Sequence, residues 1–246
     1  MKFFYKYQEH NSLIQTIPGQ KPNIILCSQD NNKTNNIHYN FPPFDSKIEY
    51  LQSSGTQYID TGINYDFSNK ISIDVDIIPI NSNRSIIISN YCDGNASSIS
   101  CELGGTSNSH AIQPRFYISL TSKTNTSDTW QNALTLNTSY QISYEYNKSN
   151  GQKIFISNGN TSTLTYTGTK YGTTKNLLLF SDHRANKSAI ANGLIIKKLK
   201  IYKNAQIVRD FISVRIGTIG YLYDNVSEQL FGNNGTGSFT LGPDIN

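Results

Sequence analysis

Residues 71–77 read Ile-Ser-Ile-Asp-Val-Asp-Ile, a strict alternation of apolar and polar side chains. Successive side chains of a β-strand point to opposite faces, so this period of two predicts a strand with one buried and one exposed face. Residues 140–146 alternate in the same way, with Tyr or Ile at every second position. The two segments predict a sheet that is covered by a core on one side only.

Further short segments resemble strands and are separated by turn signals. The predicted strands are residues 85–89, 115–120, 153–157, 162–167, 177–180, 194–202 and 206–214. Ser149-Asn150-Gly151 and Lys203-Asn204 predict hairpins between the strands that flank them. Strands at this spacing, with turns between them, are typical of a β-sandwich.

The composition supports an all-β fold. The chain has 246 residues, of which Asn (29), Ser (28) and Thr (21) make up about a third. These side chains compete for backbone hydrogen bonds in helix interiors, and no segment has convincing apolar spacing at the helical period. A helical bundle is therefore excluded, and the chain is long enough to bury a core of its own.

Residues 1–47 differ from the rest of the chain. Pro18-Gly19, the Asn-rich run 31–36 and Pro42-Pro43 are loop signals between short apolar runs. A segment this small cannot close its own core. We predict that it is an N-terminal arm, with a boundary near Asp45, which packs on the main domain, on another copy of the chain or on a larger assembly. Residues 48–246 are predicted to form the β-sandwich domain.

Several classes of partner and compartment are not expected. No run of 18 apolar residues occurs, so no membrane span is predicted. The first ten residues lack the continuous apolar stretch of a signal peptide. The net charge of +4 is scattered, and strand alternation would split its densest cluster, Lys197 to Lys203, between two faces. A nucleic-acid partner is therefore not predicted.

The sequence offers few reactive groups. Cys27, Cys92 and Cys101 have no metal-like spacing, and we favour free thiols over a Cys92–Cys101 bridge. Asp74 and Asp76 share one face of the predicted strand, but no Glu flanks them. Sugar hydrolysis needs two suitably placed carboxyl groups, so we interpret both as exposed strand residues. No catalytic residue is assigned, and the chain is not predicted to be an enzyme.

Metal binding and cofactors receive little support. The histidines form no His-x-x-x-His or Cys/His cluster, which argues against zinc. Calcium binding by Asp60, Asp74 or Asp182 is kept as an alternative, because oxygen-rich segments suit this ion. No segment has the spacing of a calcium-binding loop. No cofactor and no defined metal site are predicted.

The candidate ligand-binding residues surround the single tryptophan, Trp130. An aromatic ring can stack against the face of a pyranose, while neighbouring amides and carboxylates bind its hydroxyl groups. Asp128, Gln131 and Asn132 stand beside Trp130 and supply such groups. The sequence therefore predicts a sugar site here, with a purely structural tryptophan as the alternative.

Two longer segments carry a family resemblance. The first is IEYLQSSGTQYIDTGI at 48–63. The second begins with VRDFISVR at 208–215 and continues through GYLYD at 220–224 to LFGNNGTGSFTLGP at 230–243. These strings resemble concanavalin A-like, laminin-G-like jelly-roll modules of bacteriophage tail, fibre and other virion proteins. Ser213 is a departure, because such modules usually carry Pro there.

The same strings also predict local structure. Residues 50–51 and 58–59 flank a Ser-Ser-Gly turn that suits a first hairpin, and 221–224 with 231–233 suits another. Hairpin turns explain the glycines of 232–237 better than a nucleotide loop, since no Lys-Ser/Thr or helix follows them. Arg209 and Asp210 are expected to form an ion pair.

The resemblance implies a non-enzymatic virion protein, assembled in the host cytoplasm, such as a head fibre, tail fibre or decoration protein. Its jelly-roll domain would present a lectin-like surface to host glycans. The arm would attach to capsid, portal or tail proteins, and the chain would form a homo-oligomer, in the leading expectation a trimer. A polysaccharide depolymerase on the same scaffold and a purely architectural component are the alternatives.

Overall fold

The structure is a computed structural model. It describes residues 3–7, 12–16, 23–26, 37–38, 42–65, 70–92, 98–103, 112–117, 134–147, 151–157, 159, 161–164, 174–184 and 191–245. The chain divides into two compact units, Met1–Asp45 and Ser46–Asn246.

The first unit contains four strands that pair in chain order as one antiparallel sheet. They are β1 (Phe3–Tyr7), β2 (Ser12–Thr16), β3 (Asn23–Leu26) and β4 (Ile37–His38).

The second unit is built from strands β5 to β21. They are β5 (Ser46–Ile48), β6 (Leu51–Ser54), β7 (Ile59–Asn64), β8 (Ile71–Pro79), β9 (Ser85–Ser89), β10 (Ser98–Leu103), β11 (Ile112–Tyr117), β12 (Tyr140–Asn147), β13 (Gly151–Ile156), β14 (Thr161–Leu164), β15 (Asn176–Leu179), β16 (Asn192–Lys203), β17 (Gln206–Ile216), β18 (Ile219–Asp224), β19 (Gln229–Phe231), β20 (Thr240–Leu241) and β21 (Asp244–Ile245).

These strands form two antiparallel sheets. The small sheet has the order β11-β10-β9-β15-β7. The large sheet has the order β14-β13-β12-β8-β16-β17-β18-β19, with β5, β6, β20 and β21 added along β16 and β17. One hydrophobic cluster takes side chains from both sheets, so the sheets face each other across a shared core. The prediction of an all-β sandwich is confirmed, and the described residues contain no helix. Accordingly, none of them forms an apolar helix of membrane-spanning length.

Strand β8 shows why the sequence folds this way. Its four alternating apolar residues, Ile71 to Ile77, are at most 2% exposed, whereas Asp74 is exposed. The face of β8 that carries Ser72, Asp74 and Asp76 therefore points away from the core, as the alternation predicted.

Three of the predicted hairpins are present. Strands β12 and β13, β16 and β17, and β18 and β19 pair with their neighbours in sequence. The turn between β16 and β17 places Asn204 and Ala205 at positive φ, 49° and 66°.

The expected first hairpin is wrong. Strand β6 pairs with β16 and β20 in the large sheet, while β7 pairs with β15 in the small sheet. The Ser-Ser-Gly segment is thus a crossing between sheets. Gln57, 1% exposed, holds it, because its side-chain oxygen accepts a 2.8 Å hydrogen bond from the backbone N–H of Ser54.

The Gly-rich segment 232–237 also differs from expectation. It joins β19 to β20, which pair with different strands, so it is not a hairpin turn. Its asparagines cap the free edge of β7 instead: Asn233 Oδ1 accepts from the Tyr58 N–H and Asn234 Oδ1 from the Asp60 N–H. Gly235 packs so closely on this edge that a Cβ would lie 2.0 Å from the Thr56 carbonyl oxygen.

The expected Arg209–Asp210 ion pair is replaced by two others. Neighbouring side chains on a strand point to opposite faces, so Arg209 and Asp210 cannot share a face. Arg209 lies 3.5 Å from the fully buried carboxylate of Asp224, and Asp210 lies 3.7 Å from Lys200 on the opposite face.

Cys92 and Cys101 are both free thiols. Cys101 is buried in the core, and this burial, together with the neighbouring Glu102 carboxylate, raises the pKa of its thiol far above the ordinary value. Such a thiol is a core residue and a poor nucleophile. Cys27 lies outside the described residues.

Candidate functional site

The polar face of the large sheet brings together side chains from three adjacent strands. Strand β8 lies between β12 and β16. The register places residues in three rows across the strands: Gln141, Asp76 and Lys198; Ser143, Asp74 and Lys200; Glu145, Ser72 and Tyr202. Directly opposed residues share a face of the sheet, so each row is contiguous.

A bulge in β16 sets which lysines join this face. The register against β8 shifts between Ile196 and Lys198. Beyond the bulge Lys198 and Lys200 lie on the polar face, whereas the Lys197 Nζ is 2.8 Å from Glu49 Oε1. Lys203 Nζ donates to the Asn64 carbonyl. The lysine cluster is therefore divided between separate surroundings: Lys203 lies opposite the core residue Ile71, as alternation predicts, but the bulge and not alternation separates Lys197 from Lys198.

These rows line two adjoining depressions of about 390 and 360 Å³, which share Asp74, Ser143 and Tyr202. We call the pair the sheet groove. It is lined by Lys70, Ser72, Asp74, Asp76, Gln141, Ser143, Glu145, Lys198, Lys200, Tyr202 and Ala205, above a floor of core residues. Because the two depressions adjoin, the groove suits an extended ligand that spans both.

Polar contacts hold several groove residues in place. Ser143 Oγ donates a 2.6 Å hydrogen bond to Asp74 Oδ1. Lys198 lies 3.3 Å from Asp76, and Lys70 lies 2.7 Å from Glu145. The Lys198 side chain is 59% exposed, and exposed ion pairs contribute only about 0–1 kcal/mol. A ligand can therefore replace these contacts at little energetic cost.

Other groove atoms are open to a ligand. Within the described part of the chain, the second carboxylate oxygen of Asp74 and the side-chain amide of Gln141 have no hydrogen-bond partner. Tyr202 adds a half-buried aromatic ring beside them. The groove thus combines acceptors, donors and one aromatic surface.

The residues that line the groove carry no net charge, and the Asp210 carboxylate, 3.7 Å from Lys200, adds one negative charge at its border. Among the lining residues, the carboxylates of Asp74, Asp76 and Glu145 are balanced one for one by the ammonium groups of Lys70, Lys198 and Lys200. A polyanion such as nucleic acid is bound by a surplus of cationic groups. The groove therefore suits an uncharged polar ligand.

The pair Asp74 and Asp76 lies in the groove on one strand face. A general acid needs a carboxyl group withdrawn from water, but Asp74 is exposed and bonded to Ser143. Asp76 faces Lys198. The arrangement favours ligand recognition over proton transfer.

The sugar site expected around the tryptophan cannot be placed. Trp130, Asp128, Gln131 and Asn132 all lie outside the described residues.

The three calcium candidates have different surroundings. Asp74 is in the groove, and Asp60 accepts from the Gly62 N–H and from Asn176 Nδ2. Asp182 is 1% exposed and pairs with Arg184 at 2.6 Å. Within the described part of the chain, no three His, Cys, Asp or Glu side chains are grouped so as to hold a metal ion.

Sequence reasoning missed the groove. In the sequence, Lys198 and Lys200 belong to a scattered lysine cluster, Tyr202 stands at the end of a predicted strand, and Gln141 and Ser143 occupy polar positions of another strand. The available signal was a polar alternation on three strands, but it does not reveal that β12, β8 and β16 are adjacent.

No family model matches the chain. No curated protein matches its sequence.

Two solved structures show loose similarity. The native heptameric SAP-like pentraxin from Limulus polyphemus aligns over 82% of this chain and 93% of its own, at 10% identity and a TM-score of 0.37. The binding domain of botulinum neurotoxin serotype D aligns over 98% of this chain and 71% of its own, at 10% identity and a TM-score of 0.35. Similarity at this level carries no functional argument, and the fold assignment rests on the strand pairing of the chain itself.

Proposed function

We propose that the chain is a non-catalytic, lectin-like protein whose sheet groove binds a neutral glycan. The observation that carries this proposal is the groove itself, in which an aromatic ring, open hydrogen-bonding groups and balanced charges meet on three adjacent strands.

Each feature matches a property of sugars. A pyranose has apolar C–H faces and a rim of hydroxyl groups. The Tyr202 ring suits a C–H face. Asp74 and Gln141 suit the hydroxyl rim, because a carboxylate accepts hydrogen bonds from hydroxyl groups and an amide both accepts from them and donates to them. Charge balance favours an uncharged glycan over a sulfated or uronic one, since a neutral groove gains little from a polyanion.

A glycan array probed with the full chain tests this proposal. We expect signal on a subset of neutral bacterial surface glycans, and little change in that signal when the salt concentration rises, since no net charge is involved. Signal confined to sulfated or uronic glycans, or lost in high salt, would contradict a neutral ligand. A blank array that includes the host polysaccharides would favour a purely architectural protein.

The same glycans test the absence of catalysis. Prolonged incubation of a bound polysaccharide with the chain should release no new reducing ends. Shortened chains would make the protein a depolymerase, with Asp74 and Asp76 as its first catalytic candidates.

We further propose that the glycan-binding domain belongs to a bacteriophage virion. This rests on the sequence resemblance of residues 48–63 and 208–243 to virion jelly-roll modules. The unit Met1–Asp45 would attach to capsid, portal or tail proteins and to sister chains. A homotrimer would gain avidity from several weak sites on one particle.

Immunogold electron microscopy of purified particles, with an antibody against residues 191–245, tests the virion assignment. Gold at a fixed position on the particle, together with a trimer mass for the purified chain, is the expected result. Particles without label, from a host lysate that contains the protein, would refute it.

A further inference from the structure

A pocket of about 200 Å³ opens at β7, the edge strand of the small sheet. It is lined by Tyr58, Asp60, Leu178, Asp182, His183 and Asn234. We call it the edge pocket. It shares no lining residue with the sheet groove, so a role for it is independent of the function proposed above.

Two lining residues, Asp60 and Asn234, offer hydrogen bonds to a ligand through their side chains. Asp60 accepts one bond at each carboxylate oxygen, from Gly62 N–H at 2.8 Å and from Asn176 Nδ2 at 3.2 Å. Each oxygen keeps a further lone pair. The side-chain oxygen of Asn234 accepts a hydrogen bond from the Asp60 N–H. Its Nδ2 has no acceptor among the described residues. The pocket thus presents an acceptor and a donor side by side.

The His183 ring adds a second acceptor. Its Nε2 lies 2.8 Å from the Asn176 carbonyl oxygen. A carbonyl oxygen can only accept, so Nε2 carries the hydrogen and the neutral ring keeps Nδ1 as an acceptor. The backbone of His183 is fixed as well, because its N–H donates to the Tyr91 carbonyl at 2.7 Å.

The walls of the pocket are preorganised. The backbone N–H and carbonyl of Tyr58 are both bonded to the 232–237 segment, at 3.2 and 2.8 Å. Asp182 is bound by the Arg184 backbone N–H and guanidinium, which neutralises its charge. Leu178, 3% exposed, adds an apolar surface. Little ordering is therefore needed when a ligand binds.

The volume limits the ligand. At ~30 Å³ per water molecule, 200 Å³ holds about six or seven waters. This suits one sugar ring and is too small for an oligosaccharide. Tyr58 and Leu178 suit an apolar ring face, while Asp60 and Asn234 suit neighbouring hydroxyl groups.

We propose that the edge pocket is a second binding site, which takes one terminal pyranose unit of a neutral glycan.

A titration of the full chain with methyl glycosides of glucose, galactose and mannose, followed by backbone amide NMR, tests this proposal. At least one glycoside should shift the amide signals of Asp60, His183 and Asn234 at millimolar concentration. The decisive variant is Asn234→Asp. It keeps the oxygen that accepts from the Asp60 N–H but replaces the Nδ2 donor with an oxygen, so glycoside affinity should fall about tenfold or more.

Tyr202→Ala is the matched control, because it changes the groove and leaves the edge pocket intact. It should weaken oligosaccharide binding in the groove and leave the glycoside affinity of the edge pocket unchanged. Asn234→Asp should lower the glycoside affinity and leave the oligosaccharide-induced shifts of groove amides unchanged. An unchanged melting temperature of Asn234→Asp would show that the cap on β7 persists. The proposal is overturned if no glycoside shifts the edge-pocket signals, or if Asn234→Asp leaves the glycoside affinity as it was.

Discussion

Replacing Asp224 with alanine should lower the free energy of unfolding by about 3–5 kcal/mol, the cost typical of breaking a buried ion pair from one side. Asp224 is 0% exposed. Its carboxylate accepts from the N–H groups of Asp210, Val226 and Ser227 and from the Ser227 hydroxyl, the last at 2.6 Å. The variant leaves these donors without their acceptor. It also removes the carboxylate 3.5 Å from the Arg209 guanidinium, which keeps its bonds to the Thr61 and Val208 carbonyls.

The measurement is thermal unfolding. For a domain of this size, ~1 kcal/mol corresponds to roughly 2–4 °C, so a decrease of about 6–20 °C is expected. Asp224→Asn is the second variant, for use if the alanine variant does not fold. It keeps the shape of the side chain and one acceptor oxygen, so it should lower the melting temperature by less.

Asp210→Asn is the control for this prediction. Asp210 lies on the next strand and is 25% exposed, with its lysine 3.7 Å away. Loss of this ion pair should lower the free energy of unfolding by less than about 1 kcal/mol. Equal effects of the two substitutions would contradict the structural role of Asp224.

Replacing Tyr202 with alanine should weaken binding of a groove-directed oligosaccharide by about tenfold or more. Aromatic side chains at the centre of a binding surface often contribute at least this much. Tyr202 lines both depressions of the groove, so its ring would contact an oligosaccharide that spans them. Isothermal titration calorimetry with an oligosaccharide identified on the array measures the effect.

Two variants isolate the role of the ring. Tyr202→Phe keeps the aromatic surface and should retain most of the affinity. Lys47→Ala removes an exposed lysine that lies outside the groove, and it should leave the affinity unchanged. If Tyr202→Ala binds as well as the wild type, the ring does not contact the ligand.

Local signals were sufficient for much of the fold. The alternation of 71–77 located β8 and its buried face, because burial follows the pleat of the strand. The turn at residues 203–204 located the β16–β17 hairpin, because the signal and the pairing are both local. The crossing between β6 and β7 was misread, since a Ser-Ser-Gly segment fits either a hairpin or a change of sheet, and the choice depends on distant partners.

The candidate site was much less accessible to sequence reasoning. Asp74 and Asp76 were noticed as a pair, but their partners Gln141, Ser143 and Lys198 come from strands that are distant in the chain. Sheet order is set by the packing of the whole core, which no single segment encodes. Trp130 is the single tryptophan of the chain and stands in a polar segment, which is a local signal that carries no information on strand neighbours.

A crystal structure of the chain with the oligosaccharide identified on the array tests the central claim most directly. We predict sugar density across β12, β8 and β16, with one ring against Tyr202 and hydroxyl groups at Asp74 and Gln141. Density for the oligosaccharide elsewhere on the molecule, with the groove empty, would contradict the assignment of this face as the glycan-binding site.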